Sequence, residues 1–152
     1  MKMSSCRTEY VSSSPEETEA FGGRLAAYLE PGSVIALSGG LGAGKTCMVK
    51  GIARALGVDE NITSPTYTIV NEYRPETGRL NGRSLYHIDA YRLDSDEDFA
   101  STGAGDCFSG GGITIIEWGE RIPSSIPAGA IRIEIEISGP QSRIFRLRGL
   151  SL

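Results

Sequence analysis

Gly39, Gly44, Lys45 and Thr46 fall at the spacing G-x-x-x-x-G-K-[ST], within the run Gly39–Gly40–Leu41–Gly42–Ala43–Gly44–Lys45–Thr46. These residue types at this spacing make a cradle for phosphate. Glycines let the backbone curl until successive N–H groups converge on one anion. Lys45 then reaches the β- and γ-phosphates, and the Thr46 hydroxyl is placed to hold Mg²⁺. A helix starting here adds the positive end of its dipole. A chain of this composition would show the pattern by chance about once in a hundred.

The flanking elements supply the required context. Val34–Ile35–Ala36–Leu37 is a continuous apolar run, as in a buried parallel strand. Lys45 to Leu56 reads as a helix with Met48, Val49, Ile52, Ala53 and Leu56 on one face, and Gly57 follows at its C-terminal stop. Strand, glycine loop and helix is the order a P-loop needs.

A P-loop also needs an acid at the end of another strand. Ile113–Thr114–Ile115–Ile116 is an apolar strand that delivers Glu117, with the shape of a Walker B element. Tyr86–His87–Ile88–Asp89 delivers Asp89 from a separate strand. Two carboxylates at one site divide naturally into a metal ligand and a water-orienting group. Each could instead be an ordinary surface acid or salt-bridge partner. Ser64–Pro65–Thr66 lies where P-loop hydrolases often place a switch bearing a Mg²⁺- or water-contacting hydroxyl, though it also reads as an X-Pro turn. His87 is the sole histidine and no suitable Cys accompanies it, so no zinc site is expected and a packing or hydrogen-bonding role is. Trp118, the sole tryptophan, is either core or a neighbour of the nucleotide.

The rest of the chain is a small α/β domain spanning residues 1–152. Ser14–Pro15–Glu16–Glu17 is a capping box opening a helix that runs to about Leu29. Ile62 to Val70 reads as extended, Asn71 to Arg83 as a hairpin connection, and Leu85 to Tyr91 as a strand. Asp94 to Gly112 could open with a short helix near Asp96, but from Ser101 on it reads as a mobile loop. Ile131 to Ile137 alternates strictly, as an antiparallel strand with one wet face, and a last strand lies near Ile144 to Arg148. The expected fold is a mixed, mainly parallel central sheet flanked by helices, with antiparallel edge strands.

Composition narrows the function. The net charge is −4 and only three lysines occur, so no long basic face for nucleic acid is expected. Arg143, Arg146 and Arg148 read as a solvated strand face or as an acidic- or RNA-facing patch. No segment approaches a membrane span and no signal peptide is evident. Cys6, Cys47 and Cys107 suggest reduced thiols in a cytosol. The GTPase patterns D-x-x-G and N/T-K-x-D are missing, and there is no arginine-rich lid of a nucleotide kinase. Three functional readings remain: an ATPase, a small-molecule kinase, and a nucleotide-sensing module with negligible turnover.

Four blocks taken together resemble one family. They are Gly39 to Thr46; Ser64–Pro65–Thr66–Tyr67–Thr68 with Val70–Asn71–Glu72–Tyr73; Tyr86–His87–Ile88–Asp89 with Tyr91–Arg92–Leu93; and Ile116–Glu117–Trp118–Gly119–Glu120–Arg121. Their order and spacing resemble the bacterial ATPase family of tRNA threonylcarbamoyladenosine biosynthesis (TsaE, also called YjeE) over nearly the whole chain. The resemblance implies a cytoplasmic, partner-dependent ATPase that binds ATP/ADP and Mg²⁺. It implies support of repeated turnover by a heterodimeric transferase of TsaB/TsaD type, which modifies adenosine 37 of tRNAs reading ANN codons. Contact with tRNA would be indirect. Carried over by position, Gly39, Leu41, Gly42, Ala43, Gly44, Lys45 and Thr46 hold phosphate. Thr46 and Glu117 serve the metal, Lys45, Asp89 and Glu117 serve hydrolysis, Trp118 lies beside the nucleotide, and the stretch around Ser14 to Thr18, with Pro15 and Thr18, lies near the adenine. Two departures stand out. Gly40 replaces the Asp of the family's usual G-D-L-G-A-G-K-T, and Ser101 to Gly112 is glycine-rich where an acidic helix is usual.

Overall fold

The computed structural model describes residues 7–150. Seven strands form one sheet: β1 (Thr8–Ser12), β2 (Val34–Ser38), β3 (Val70–Tyr73), β4 (Leu85–Asp89), β5 (Ile113–Glu117), β6 (Ile131–Ile137) and β7 (Arg143–Arg148). The helices are α1 (Pro15–Ala26), α2 (Lys45–Ala55) and α3 (Asp96–Thr102). Across the sheet the order is β1-β7-β6-β2-β5-β4-β3. The four central strands β6, β2, β5 and β4 run parallel, and antiparallel pairs close both edges.

Each face has its own core. Phe21 and Leu25 of α1, with Met48 and Ile52 of α2, pack on the inward side chains of the sheet, including Ile35, Leu37 and Ile115. On the opposite face Phe99 of α3 joins Ala36, Ile88, Ile116 and Ile122. β5 faces both cores and all five of its residues are buried, as its unbroken apolar pattern requires.

α1 opens at the predicted cap Ser14, with the reciprocal bond shifted one residue back to Ser13. The Glu17 N–H donates to Ser14 Oγ at 3.1 Å, and the Glu17 carboxylate reaches back to the Ser13 N–H at 2.7 Å. The regular helix ends at Ala26 rather than near Leu29. The last turn tightens instead, with the Leu29 N–H on the Ala26 carbonyl.

Three expectations need correction, and one strand was not foreseen. β6 is antiparallel to β7 but parallel to β2, because alternation reports which face is wet and not which way the neighbour runs. The segment predicted to be extended from Ile62 turns at Pro65, where the Ile69 N–H closes on the Pro65 carbonyl. The strand starts only at Val70, the last residue expected to be extended, and runs to Tyr73 into the expected connection. The expected mobile loop after Ser101 is packed: α3 runs to Thr102, a 3-10 turn spans Ala104–Ser109, and Phe108 sits 6.0 Å from the Phe99 ring. β1, which the sequence did not announce, pairs with β7 and stacks Tyr10 on Phe21. Cys6 lies outside the described residues, while Cys47 and Cys107 are free thiols. No helix among the described residues is long and apolar enough to cross a membrane.

α1 and α2 cross closely because glycines meet backbone there. A Cβ on Gly22 would lie 2.5 Å from the Met48 carbonyl oxygen, and one on Gly51 would collide with the Glu19 carbonyl. On an open helix, Gly51→Ala would stabilise by up to about 1 kcal/mol. Here we expect it to destabilise by about 1–3 kcal/mol through overpacking. The check is the urea midpoint at unchanged slope; a raised midpoint would contradict this helix contact.

Candidate functional site: a glycine loop at the strand ends

Parallel pairing fixes where the chemistry collects. Glu117 is the last residue of β5 and lies in register with Leu37 of β2 on one side and Asp89 of β4 on the other. Ligands in open α/β sheets sit beyond the carboxyl ends of such strands. The loop from Gly39 to Gly44 rises from the end of β2 and delivers its chain into α2. Gly44 precedes α2 with φ 99°, a backbone that other residues rarely adopt.

A cavity of about 400 Å³ opens here. It is lined by Leu41, Gly42, Ala43, Gly44, Lys45 and Thr46 from the loop, by Ser64, Thr66 and Asp89 on one wall, and by Glu117 and Trp118 on another. Gly39, Pro15 and Thr18 do not line it. Gly39 lines a different cavity with Gly40 and Glu120. Pro15 and Thr18 line a neighbouring cavity of about 150 Å³ with Gly42, Gly44 and Cys47. The Thr18 hydroxyl is 2.7 Å from Ser12 Oγ, so a ligand in that cavity meets its methyl side.

The loop is preformed. Lys45 Nζ donates to the carbonyls of Gly39 at 2.6 Å and Gly40 at 2.8 Å, which folds the side chain back along the loop. The Ala43 N–H closes a turn on the Gly40 carbonyl. Among the described residues, the N–H groups of Gly44, Lys45 and Thr46 donate to no backbone carbonyl. They are the free donors that every helix start carries, here facing a cavity. Burial pushes the Lys45 ammonium below the usual lysine range, against the pull of Glu117, Glu120 and Asp89. The Trp118 ring lies 3.9 Å from Lys45 Nζ and adds to that cover.

The two acids are held differently. Glu117 Oε1 accepts from Thr46 Oγ1 at 2.8 Å and lies 3.0 Å from His87 Nε2. His87 is fully buried and its Nδ1 has no partner among the described residues. A hydrogen on Nδ1 would be an orphaned donor, so the hydrogen belongs on Nε2 and points at Glu117. The hydrogen-bonding role expected for His87 is therefore specific: it aims the Glu117 carboxylate. Asp89 is gripped on both oxygens, Oδ2 by Ser64 Oγ at 2.6 Å and Oδ1 by the Tyr91 N–H at 2.9 Å. Thr66 Oγ1 stands 3.4 Å from Ser64 Oγ, so the two hydroxyls form one short chain to Asp89.

Several contacts escaped the sequence reading. Glu120 Oε2 accepts from the Gly39 N–H at 3.0 Å, so a carboxylate touches the loop although Gly40 carries none. Loss of water around Glu120 raises its pKa, opposed by the Gly39 N–H and Lys45. Tyr91 packs on Trp118 with ring centroids 4.9 Å apart. Arg143, read as part of a strand face, bonds to the carbonyls of Gly42 and Ala43. Partners about a hundred residues apart leave no local signal. Arg146 does form part of a solvated face, pairing with Glu136 and Glu9.

Comparison with known proteins agrees with this geometry. The family model described as "Threonylcarbamoyl adenosine biosynthesis protein TsaE" matches residues 12–145. The tRNA threonylcarbamoyladenosine biosynthesis protein TsaE of Treponema pallidum (strain Nichols) is 46% identical over 133 residues, covering 88% of this chain and 94% of the relative. That of Aquifex aeolicus (strain VF5) is 39% identical over 141 residues, covering 91% and 94%. The crystal structure of Bacillus subtilis YdiB superposes with a TM-score of 0.80 at 31% identity, over 99% of this chain and 90% of the other. With a family model spanning nearly the whole sheet and relatives of matching length, the chain belongs to the TsaE family of tRNA threonylcarbamoyladenosine biosynthesis.

Proposed function

We propose that the chain binds Mg-ATP in the 400 Å³ cavity and hydrolyses it in the cytoplasm. It does so as an accessory to the threonylcarbamoyl transferase of TsaB/TsaD type, and meets tRNA only through that partner. The observation that supports this most directly is the convergence of three groups on one space. Unpartnered N–H groups of Gly44, Lys45 and Thr46 face it, the Thr46 hydroxyl lies 2.8 Å from the Glu117 carboxylate, and Asp89 stands on the adjoining strand.

The residues fit the ligand. The loop N–H groups and Lys45 would take the phosphate oxygens. Thr46 and Glu117 would hold Mg²⁺, directly or through its waters, which suits an ion that keeps much of its hydration. No cluster of three or more metal-ligating side chains occurs among the described residues, so the remaining ligands fall to water and phosphate. Bound there, Mg²⁺ would neutralise charge on the phosphate oxygens. Asp89, held by Ser64 and Tyr91, would orient the attacking water. His87 keeps Glu117 aimed, and Trp118 keeps bulk water from Lys45.

We expect slow Mg²⁺-dependent ATPase activity, falling about 10²-fold or more in Lys45→Ala protein through lost charge stabilisation. Release of the γ-phosphate as inorganic phosphate separates hydrolysis from transfer to an acceptor. Unchanged activity in Lys45→Ala would sink the site. Reconstitution of adenosine-37 modification, followed over many turnovers with and without this chain, tests the accessory role.

The lowered Lys45 pKa also sets a pH signature. Between the folded lysine's value and the ordinary 10.5, the unfolded chain binds more protons, so stability rises with pH there. We expect wild-type stability relative to Lys45→Met to climb across that window and level off above it. Denaturant titrations from pH 7 to 11 measure this, and a falling difference would contradict the burial.

A further inference from the structure

Arg143 is the first residue of β7, yet its guanidinium works on the glycine loop. Its Nε donates to the Ala43 carbonyl at 3.1 Å and its Nη2 to the Gly42 carbonyl at 3.0 Å. Nη1 donates to Gly139 at 3.0 Å and Ser142 at 2.8 Å in the turn between β6 and β7. One side chain thus satisfies four carbonyls on two segments far apart in sequence. Only arginine presents enough donors in a fixed fork to do this.

The consequence follows from peptide geometry. In a trans peptide, the N–H of one residue points opposite to the carbonyl of the residue before it. Holding the Gly42 and Ala43 carbonyls from outside fixes two peptide planes. It turns the N–H groups of Ala43 and Gly44 to the far side of the loop. The Ala43 N–H closes the turn on Gly40, and the Gly44 N–H is left for the cavity. Glycines give this loop its reach but no stiffness of its own. The stiffness has to come from outside.

We propose that Arg143 is a positioning residue for phosphate binding. It braces the Gly42–Gly44 peptides so that the cradle exists before the ligand arrives, and it couples the cradle to the β6–β7 turn. This rests on the phosphate-binding reading above. The brace has a second effect. It fixes Pro140 and Gln141 of that turn as the outer wall of the 150 Å³ cavity beside the loop. Order in the turn and affinity at the loop are therefore linked.

The test compares wild type with Arg143→Met, which keeps the stem and removes every donor, and Arg143→Lys, which keeps the charge without the fork. Mg-ADP affinity is measured by calorimetry. Amide exchange without nucleotide is followed by NMR at Ala43, and at Ile35 and Ile115 as core reporters. We expect Mg-ADP to bind about tenfold more weakly to Arg143→Met, with Arg143→Lys also impaired. The buried Ala43 amide should exchange faster in Arg143→Met while both core reporters hold. Equal Mg-ADP affinity, or an unchanged Ala43 amide, in Arg143→Met would overturn the proposal and leave the phosphate site intact. Weaker binding with equal acceleration at Ile35 and Ile115 would mark general destabilisation and also overturn it. If wild type itself binds no Mg-ADP, the phosphate reading falls and takes this inference with it.

Discussion

The site depends on the register of β2 against β5. Leu37 lies opposite Glu117, so the loop leaving β2 begins beside the acid that ends β5. Side chains alternate along a strand, and a slip of one residue would turn Glu117 from the α2 face, where it meets Thr46, to the α3 face. That register is specified twice. Ile35, Leu37 and Ile115 interlock with α1 and α2 on one face, while Ala36 and Ile116 meet α3 on the other. The apolar runs that make these strands unremarkable as sequence are what hold two polar groups in line.

Around that line the buried polar groups satisfy one another. Lys45, His87, Asp89 and Glu117 are each at most 5% exposed. Buried polar groups cost stability unless they are hydrogen-bonded. Here the Lys45 ammonium takes two carbonyls, Asp89 takes a hydroxyl and an N–H, and Glu117 takes a hydroxyl and an imidazole. A network of this kind has few alternative arrangements, because removing one member orphans the next. It is also why the α1–α2 crossing matters far from the chemistry. The helix that presents Thr46 is positioned by backbone contacts at Gly22 and Gly51.

Much of this was legible in the sequence, for local reasons. The loop, α2, β5 and both acids are set by spacing within a dozen residues, and the capping box fixed the start of α1. What was hidden depends on distance or on weak local signals. Strand direction for β6 depends on its neighbours, not on its alternation. β1 is short, and its inward face is made by the fully buried Ser12 and by Tyr10 against Phe21 and Phe145, a mix that gives little apolar pattern. The stretch after Ser101 looked loose because glycine dominates it, yet Phe99, Ala104 and Phe108 supply enough apolar surface to pin it. Arg143 and Glu120 were missed as parts of the site because each meets the loop only after the sheet has formed.

Trp118 ties several of these threads together. Its φ of 61° is unusual for a bulky residue and costs on the order of 1–3 kcal/mol. The reversal has geometric returns. It lets the chain turn at the end of β5 and lays Gly119 against Ala36, where a Cβ would stand 3.2 Å from the Ala36 methyl. It places the indole over Lys45 and beside Tyr91. It also brings Glu120 back to the Gly39 N–H. A Cβ on Gly40 would meet nothing within 4 Å, so open space lies at the position where the family resemblance led us to expect an aspartate. The carboxylate that touches the loop here arrives instead from Glu120, through the strained backbone at Trp118. The same turn therefore sets the acid, the aromatic cover and the second carboxylate around one glycine loop.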